Sequence, residues 1–489
     1  MSFVGLDIGT SAVKAVLVNE NQEIVASSVV SLVTHRPRPA WSEQDPEAWW
    51  RATLAVLNDL SASALEAWHD VAAIGLSGQM HAAVLIDRND QIIRPAILWN
   101  DSRALGEADD LNAAFPEIGR IAGISAMAGF TAPKLLWLNR HEPGSIERAA
   151  TVLPAKDFIR LRLTGERATD MSEASGTLLL DIARRRWFEP LIHAVGLDLK
   201  QLPEVKEGPD SAGFLKPDIA GKLHLTRRVV IAAGAGDVAA AALGLGVIND
   251  GDGLISLGTS AQYLVAADAH RPAPETAVHA YAHALPERWF QMAALLNGAS
   301  CLSWAASLIQ DREVADLLAE TERAYCQPSE LLFLPYLSGE RTPHNDPDAK
   351  GVLYGLTPAA KASDIIQSVL EGVGFALADG QDSLEAAGTR ARTLAITGGG
   401  ARSRFWGQVI ASILDRDLTA YRDSGFAAAL GASRLARICV TGEPARTVCR
   451  VPEGGTAITP DSCHVRSYQE RHRAFRALYL ALRENFQRG

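Results

Sequence analysis

Three glycine-containing turns and one isolated carboxylate in this chain have residue types that suit phosphate chemistry. The first turn is Gly9-Thr10-Ser11, with Asp7 ahead of it and Lys14 behind it. The second is Gly258-Thr259-Ser260, and the third is the glycine triplet Gly398-Gly399-Gly400. A Gly-Thr-Ser turn offers several backbone N–H groups and two hydroxyls, a concavity that fits phosphate oxygens. Lys14 can add a positive charge. Asp7 can bind Mg²⁺ directly or through water, since Mg²⁺ keeps near-octahedral geometry and several waters. Two such turns facing each other across a cleft would grip a polyphosphate from both sides. One turn alone reads better as a plain surface turn; the pair with the later triplet favours function. The chain has no G-x-x-x-x-G-K-[ST] phosphate loop, and the protein-kinase set is missing too.

The isolated carboxylate is Asp237, in a stretch without Arg or Lys between Arg228 and Arg271. At the start of an alanine-rich helix it is either an N-cap or a catalytic base. Its small neighbours Gly234, Ala235, Gly236, Ala239 and Ala240 leave room for a ligand. The same residues fit the dinucleotide pattern G-x-G-x-x-[GA]. That fingerprint expects an acid about 20 residues on, where this chain has Ile255-Ser256-Leu257-Gly258, and a hairpin rather than a βαβ crossover follows. A dehydrogenase is therefore disfavoured. Met80 and His81, after Gly78-Gln79, offer a mixed polar and apolar wall for a small polyol, although a lone His is commonly structural. Trp99-Asn100-Asp101-Ser102-Arg103 adds similar polar density, and neither run has metal-ligand spacing.

Strands and helices must carry these residues. Phe3–Asp7 and Val13–Val18 read as a hairpin around the first turn. Leu254–Ala266 repeats this pattern around the second, with Ser256 where the first copy has Asp7. A weak internal duplication follows, two related domains each opening on a hairpin, although chance likeness of short apolar strands would look the same. Pro46–Leu60 has helical spacing of Trp49, Trp50, Leu54 and Leu57. Strands are expected at Ala73–Leu76, Ala82–Asp87, Ile97–Asn100 and Leu394–Thr397. Residues 111–225 read as mostly helical. Helices are also expected through Trp406, Val409 and Ile410, at Ala427–Leu435 and from Ser467 to Gly489, the last serving as a homodimer interface or as a cap on the second domain. Glycines and acids cluster at Gly244–Asp252, the expected domain boundary.

Of the 489 residues, 47% are hydrophobic and 21% charged, with a net charge of −10, ordinary for a folded soluble protein of two or three domains. The acidic balance and lack of a basic run disfavour nucleic-acid binding. Five widely spaced cysteines, none in a C-x-x-C pair, point to a reducing, cytoplasmic setting. The opening MSFVGLDIGT has no basic n-region, so a signal peptide is not expected. The apolar stretch from Val229 to Ile248 carries Asp237 and four glycines and reads as a buried strand–turn–helix, not a membrane span.

Together, several runs resemble the FGGY carbohydrate kinases of the actin–hexokinase superfamily over nearly the whole chain. They are Trp41-Ser-Glu-Gln-Asp-Pro46, Gly78-Gln-Met-His81, Ile97-Leu-Trp-Asn-Asp101, Phe130-Thr-Ala-Pro-Lys-Leu-Leu-Trp137 and Phe333 to Asn345. Gly351-Val-Leu-Tyr-Gly-Leu356, with Asp364, Ser368 and Glu371 downstream, meets the C-terminal pattern. The resemblance implies an α/β fold of two actin-like (ribonuclease H-like) domains around an interdomain cleft: a sugar-binding domain over residues 1–246 and a nucleotide-binding domain over 247–489. It implies ATP-dependent phosphorylation of a ketopentose, D-xylulose foremost, with D-ribulose, L-xylulose or a glycerol-like polyol as alternatives, and ATP and Mg²⁺ as cofactors. A non-kinase ATP-binding protein of the same superfamily would keep the phosphate turns without the sugar loop. By resemblance Asp237 is the general base and Asp7, with Asp237, the Mg²⁺ site. Thr10, Ser11, Lys14, Gly258, Thr259, Gly399, Gly400 and Arg404 fall on the ATP side; Met80, His81, Asp237 and Val238 fall on the sugar side. Two departures stand out. The family commonly has Asn, a sugar contact, at the position of Val238, and the glycine run before Asp237 reads Gly-Ala-Gly.

Overall fold

The computed structural model describes residues 1–309, 312–421 and 424–486. The last three residues expected in the tail helix lie outside these. Two seven-stranded sheets form the frame. The first draws on β1 (Ser2–Ile8), β2 (Ala12–Asn19), β3 (Ile24–Ser31), β4 (Val71–Gly78), β5 (Ser211–Phe214) and β6 (Val230–Ala232), with a two-residue strand at Ala235–Gly236 beside β4. The second draws on β7 (Asp252–Leu257), β8 (Ala261–Ala267), β9 (His279–Ala282), β10 (Trp289–Leu295), β11 (Thr393–Thr397), β12 (Leu418–Ala420) and β13 (Thr456–Ile458).

The strand orders are β5-β6-β4-β1-β2-β3 and β9-β10-β8-β7-β11-β12-β13. In both, an antiparallel hairpin (β1–β2, β7–β8) is extended by a third antiparallel strand (β3, β10). On its other side a parallel strand follows (β4, β11), then another (β6, β12), then an antiparallel edge (β5, β13). The internal duplication read from the two Gly-Thr-Ser hairpins is thus a duplication of sheet topology, with β9 an addition to the second copy.

The main helices are α1 (Pro46–Ser63), α2 (Thr131–His141), α3 (Asp237–Gly244), α4 (Ala362–Ala386), α5 (Arg404–Leu414), α6 (Ala427–Thr441) and α7 (Val465–Phe486). Helix α1 starts where Asp45 accepts a hydrogen bond from the Glu47 N–H and Pro46 takes the first turn, both favoured at a helix start. It buries Trp49, Val56, Leu57 and Leu60. Helix α7 buries Tyr468, Phe475 and Tyr479 in the core under the second sheet, so its apolar face serves as a cap there.

Helix α6 runs against sequence order. It lies after the second sheet's β12 yet packs on β1 and β4 of the first sheet. Contact is at backbone level: a methyl group on Gly5 would sit 1.8 Å from the Ala429 carbonyl oxygen, and one on Gly75 1.8 Å from that of Ala432. Helix α3 crosses α6 just as closely through Gly431 and Gly244. The small residues of both helices make this seam between the halves.

Residues 111–225 are less helical than expected. Short strands interrupt them at Thr151–Leu153, Ala168–Asp170, Leu180–Asp181, Arg186–Trp187, Glu204–Lys206 and β5. Strands of two to four residues are too brief to imprint a two-residue periodicity on the sequence. Likewise the strand expected at Ala82–Asp87 shrinks to Val84–Ile86, and the one at Ile97–Asn100 to Ala96–Ile97.

Candidate active site

The first hairpin reaches two cavities. One, of about 200 Å³, is walled by Thr10, Met80, His81, Trp99, Asp237 and Val238 from the first half and by Gln262, His279, Tyr281 and Arg341 from the second. It is smaller than the ~300–1,000 Å³ of sites for drug-sized ligands, a size for a small polar molecule. The other, of about 710 Å³, is walled by Lys14, Gly399, Arg402, Arg404, Tyr421 and Phe426 among others.

Asp237 is the first residue of α3. Gly236 holds the N-cap position with no side chain to offer, and the Asp237 Oδ1 accepts from the Val238 N–H at 2.8 Å. The carboxylate therefore does part of a cap's work while facing the smaller cavity. Burial pushes its pKa up from 3.8 to about 7, and the like charge of Asp7 pushes the same way. Asp7 is the next-to-last residue of β1, opposite Lys14 on β2 and Ser77 on β4. Burial raises its pKa as well, against the lowering pull of the Lys14 ammonium and of the hydrogen bond from Ser77 Oγ at 3.1 Å. A carboxyl poised near neutrality is what a general base needs.

The turn before Asp237 explains its own composition. Gly234 has φ +85° and lies where a methyl would meet the Leu76 carbonyl oxygen at 2.1 Å. A methyl on Gly236 would press on the Met80 side chain at 2.9 Å. Ala235 is buried with ordinary φ, so Gly-Ala-Gly serves as well as three glycines here.

Carbonyls of both Gly-Thr-Ser turns accept hydrogen bonds. Thr10 O accepts from Gln44 Nε2 at 2.7 Å and Ser11 O from the Leu32 N–H at 2.8 Å. Gly258 O accepts from the Ala299 N–H at 2.7 Å and Thr259 O from the Gly298 N–H at 2.9 Å. The Thr10 hydroxyl is engaged too, donating to Gln79 Oε1 at 2.8 Å and accepting from Trp99 Nε1 at 2.9 Å. Thr10 walls the smaller cavity, with its hydroxyl drawn toward Gln79 and Trp99. Lys14 walls the larger cavity and donates to Gly425 O at 2.8 Å. Gly399 and Arg404 wall that cavity with it. Gly400 does not: a methyl there would strike Leu257 and Trp406 side chains, so packing accounts for this glycine. Ser11, Gly258 and Thr259 are not in the wall of either cavity.

His81 stands at φ +69°, and its Nδ1 lies 2.6 Å from Gly176 O. Burial holds its imidazole well below the usual pKa, hence neutral. The second-half wall was missed by the sequence reading. His279 and Tyr281 are two residues apart on β9 and share one sheet face. Among the described residues, the Tyr281 hydroxyl and His279 Nδ1 are buried without a hydrogen-bond partner. Such groups are costly to bury unpaired and suit a ligand's hydroxyls. Polar rings alternating with alanine in His279-Ala280-Tyr281-Ala282 were the available signal. Gln262 alternates likewise from the second turn, and Arg341 lies in the Phe333–Asn345 run without a role having been given to it.

Asp7 and Asp237 fit Mg²⁺: the charge of Asp7 raises the pKa of Asp237, and a dication between or near them relieves that repulsion. Among the described residues no group of three His, Cys, Asp or Glu could hold a metal. Mg²⁺ commonly takes only one or two carboxylates, with substrate phosphates and water completing its shell. No described helix is long and apolar enough to cross a membrane.

Residues 2–244 match the model of the FGGY family of carbohydrate kinases, N-terminal domain, and residues 253–439 that of its C-terminal domain. A xylulose kinase of Escherichia coli K12 is 44% identical, over 98% of this chain and 99% of its own. A xylulose kinase of Klebsiella pneumoniae is 42% identical over 98% and 99%. A crystal structure described as a "xyloylose kinase" from Brucella ovis superposes with a TM-score of 0.95 at 42% identity, covering 99% of this chain and all of that one.

Proposed function

The chain belongs to the FGGY family of carbohydrate kinases, and from that premise we propose that it transfers the γ-phosphoryl group of ATP to the terminal hydroxyl of D-xylulose. The observation that carries this is Asp237, a carboxyl with pKa about 7 in the wall of a 200 Å³ polar cavity. The sugar sits there, against Met80, His81 and Val238, and ATP takes the 710 Å³ cavity with Lys14, Gly399 and Arg404. We assign residues 1–246 to the sugar side and 247–489 to the nucleotide side, with α6 crossing back. The cytoplasm, where ATP is available, is the compartment this reading implies.

Phosphoryl transfer has a loose transition state, so the protein's work is positioning and charge stabilisation. Asp237 accepts the proton of the attacking hydroxyl. Its hydrogen bond from the Val238 N–H fixes the carboxylate at the start of α3. Thr10, locked by Gln79 and Trp99, keeps the hairpin tip rigid beside the sugar. Mg²⁺, held at Asp7 and Asp237, would neutralise phosphate charge. Lys14 adds a cation at the nucleotide cavity. A charge-assisted hydrogen bond is worth ~1.5–3 kcal/mol, so Lys14→Met is expected to raise the KM for ATP about tenfold or more while leaving the KM for sugar within twofold. Steady-state kinetics with each substrate varied in turn checks this.

One observation favours a different acceptor: the Val238 side chain cannot hydrogen-bond where the family commonly has Asn. The Tyr281 hydroxyl and His279 Nδ1 offer replacement partners, which keeps D-xylulose as the preferred reading. A coupled ADP-release assay over D-xylulose, D-ribulose, L-xylulose and glycerol tests it. The highest kcat/KM is expected with D-xylulose; a clear preference for glycerol or another non-ketopentose overturns the assignment. ATP turnover that ignores every sugar would indicate a non-kinase ATP-binding protein instead.

A further inference from the structure

Lys134 is fully buried in the first half of α2. Its ammonium donates to three carbonyls: His81 O at 2.6 Å, Leu98 O at 3.1 Å and Ile97 O at 3.3 Å. Among the described residues it has no salt bridge. The nearby carboxylate of Asp101 is instead held by Arg103, at 2.7 Å from its Nη2. Thr131, one turn earlier, donates its hydroxyl to the same His81 carbonyl at 3.1 Å.

A buried ammonium without a carboxylate partner is expensive. Desolvation lowers its pKa to about 7, with the cations Arg103 and Arg341 adding to the effect and Asp101 opposing it. The three carbonyls it gathers belong to two separate segments. One is His81, held at φ +69° beside Met80. The other is Ile97-Leu98, directly before Trp99, whose indole N–H fixes Thr10. Met80, His81, Trp99 and Thr10 all wall the sugar cavity.

We propose that Lys134 is a positioning residue for the sugar acceptor: its ammonium ties the His81 loop to the Ile97–Trp99 segment and so sets the shape of the acceptor cavity from behind. The idea rests on the acceptor assignment above. Lys134 touches neither substrate. Misplacing a binding group by an ångström can cost on the order of 10²-fold in rate.

The test uses Lys134→Met, which keeps the side chain's length and removes the donors, with D-xylulose and ATP as substrates. The KM for D-xylulose is expected to rise ~10–100-fold while the KM for ATP stays within twofold. A general loss of packing would instead lower the thermal midpoint and raise both KM values together, or neither. Thr131→Val removes only the second donor to His81 O and is expected to raise the D-xylulose KM several-fold, again without moving that for ATP. Should Lys134→Met fail to fold, Thr131→Val alone decides. A D-xylulose KM unchanged within twofold in a folded Lys134→Met protein overturns the proposal, as does an unchanged KM in Thr131→Val when that variant alone can be read. Failure of the acceptor assignment looks different: the wild-type protein itself would then leave D-xylulose unphosphorylated.

Discussion

Asp237→Asn is expected to lose ~10²–10⁴-fold in kcat, the usual contribution of a positioned base, while leaving ATP binding largely intact, since Asp7 and Lys14 remain. The amide is isosteric and keeps the acceptor oxygen for the Val238 N–H, so α3 starts unchanged. Titration calorimetry with ATP and a coupled assay with D-xylulose separate the two effects. The wild-type protein should lose activity as pH falls below about 7, where Asp237 takes up its proton. Stability should move the opposite way from activity. The folded-state pKa lies above the ordinary value of 3.8. Its contribution to stability is therefore full below pH 3.8 and is lost as pH rises through about 7. At pH 8 the wild-type protein buries a carboxylate beside Asp7, and the variant does not. Asp237→Asn should accordingly melt higher than wild type at pH 8, with the gap closing toward pH 4. Wild-type turnover in a folded variant would remove Asp237 from the chemistry, and a lower melting point at pH 8 would contradict its burial as a charge.

What could be read from the sequence was local. Each Gly-Thr-Ser turn lies between apolar strands of two-residue periodicity, so hairpin and tip follow from neighbouring residues. Asp237 stood out because no cation follows until Arg271. The parts that escaped depend on contacts between distant segments. Gln262, His279 and Tyr281 reach the smaller cavity only because β8 and β9 of the second sheet turn one face toward the first half. Thr10 faces the smaller cavity because Gln79 and Trp99, far along the chain, engage its hydroxyl. Lys134 reads as a surface residue by type; only the burial of α2 over three carbonyls makes it a tie. The alanine-rich pattern of α6 announced a helix but not its address. An Ala/Gly surface can approach any backbone, and which one it meets is set by the whole topology.

That address gives the second large effect. Gly431 on α6 meets α3 where a methyl would lie 1.8 Å from the Ala240 carbonyl oxygen and 3.0 Å from the Gly244 nitrogen. All the nearest atoms are backbone, so no side chain can swing aside. Reciprocally, a methyl on Gly244 would lie 2.0 Å from the Ala427 carbonyl oxygen. Gly431→Val must therefore push the two helices apart. Overpacking a core typically costs ~1–3 kcal/mol, occasionally more; with two backbones to separate, the upper end or beyond is expected, read as a lowered thermal midpoint. Activity should fall further than stability alone explains. Asp237 opens α3, one turn before Ala240, so displacing that helix moves the carboxylate relative to the hairpin carrying Asp7 and Lys14. A suitable control is Gly106→Ala, on a helix where an added methyl meets nothing within 4 Å. There the gain in helix propensity, ~0.5–1 kcal/mol, should leave kcat untouched and the midpoint equal or higher. If Gly431→Val melted and turned over like wild type, the seam would not be a backbone contact, and the alignment of Asp237 would have to come from elsewhere.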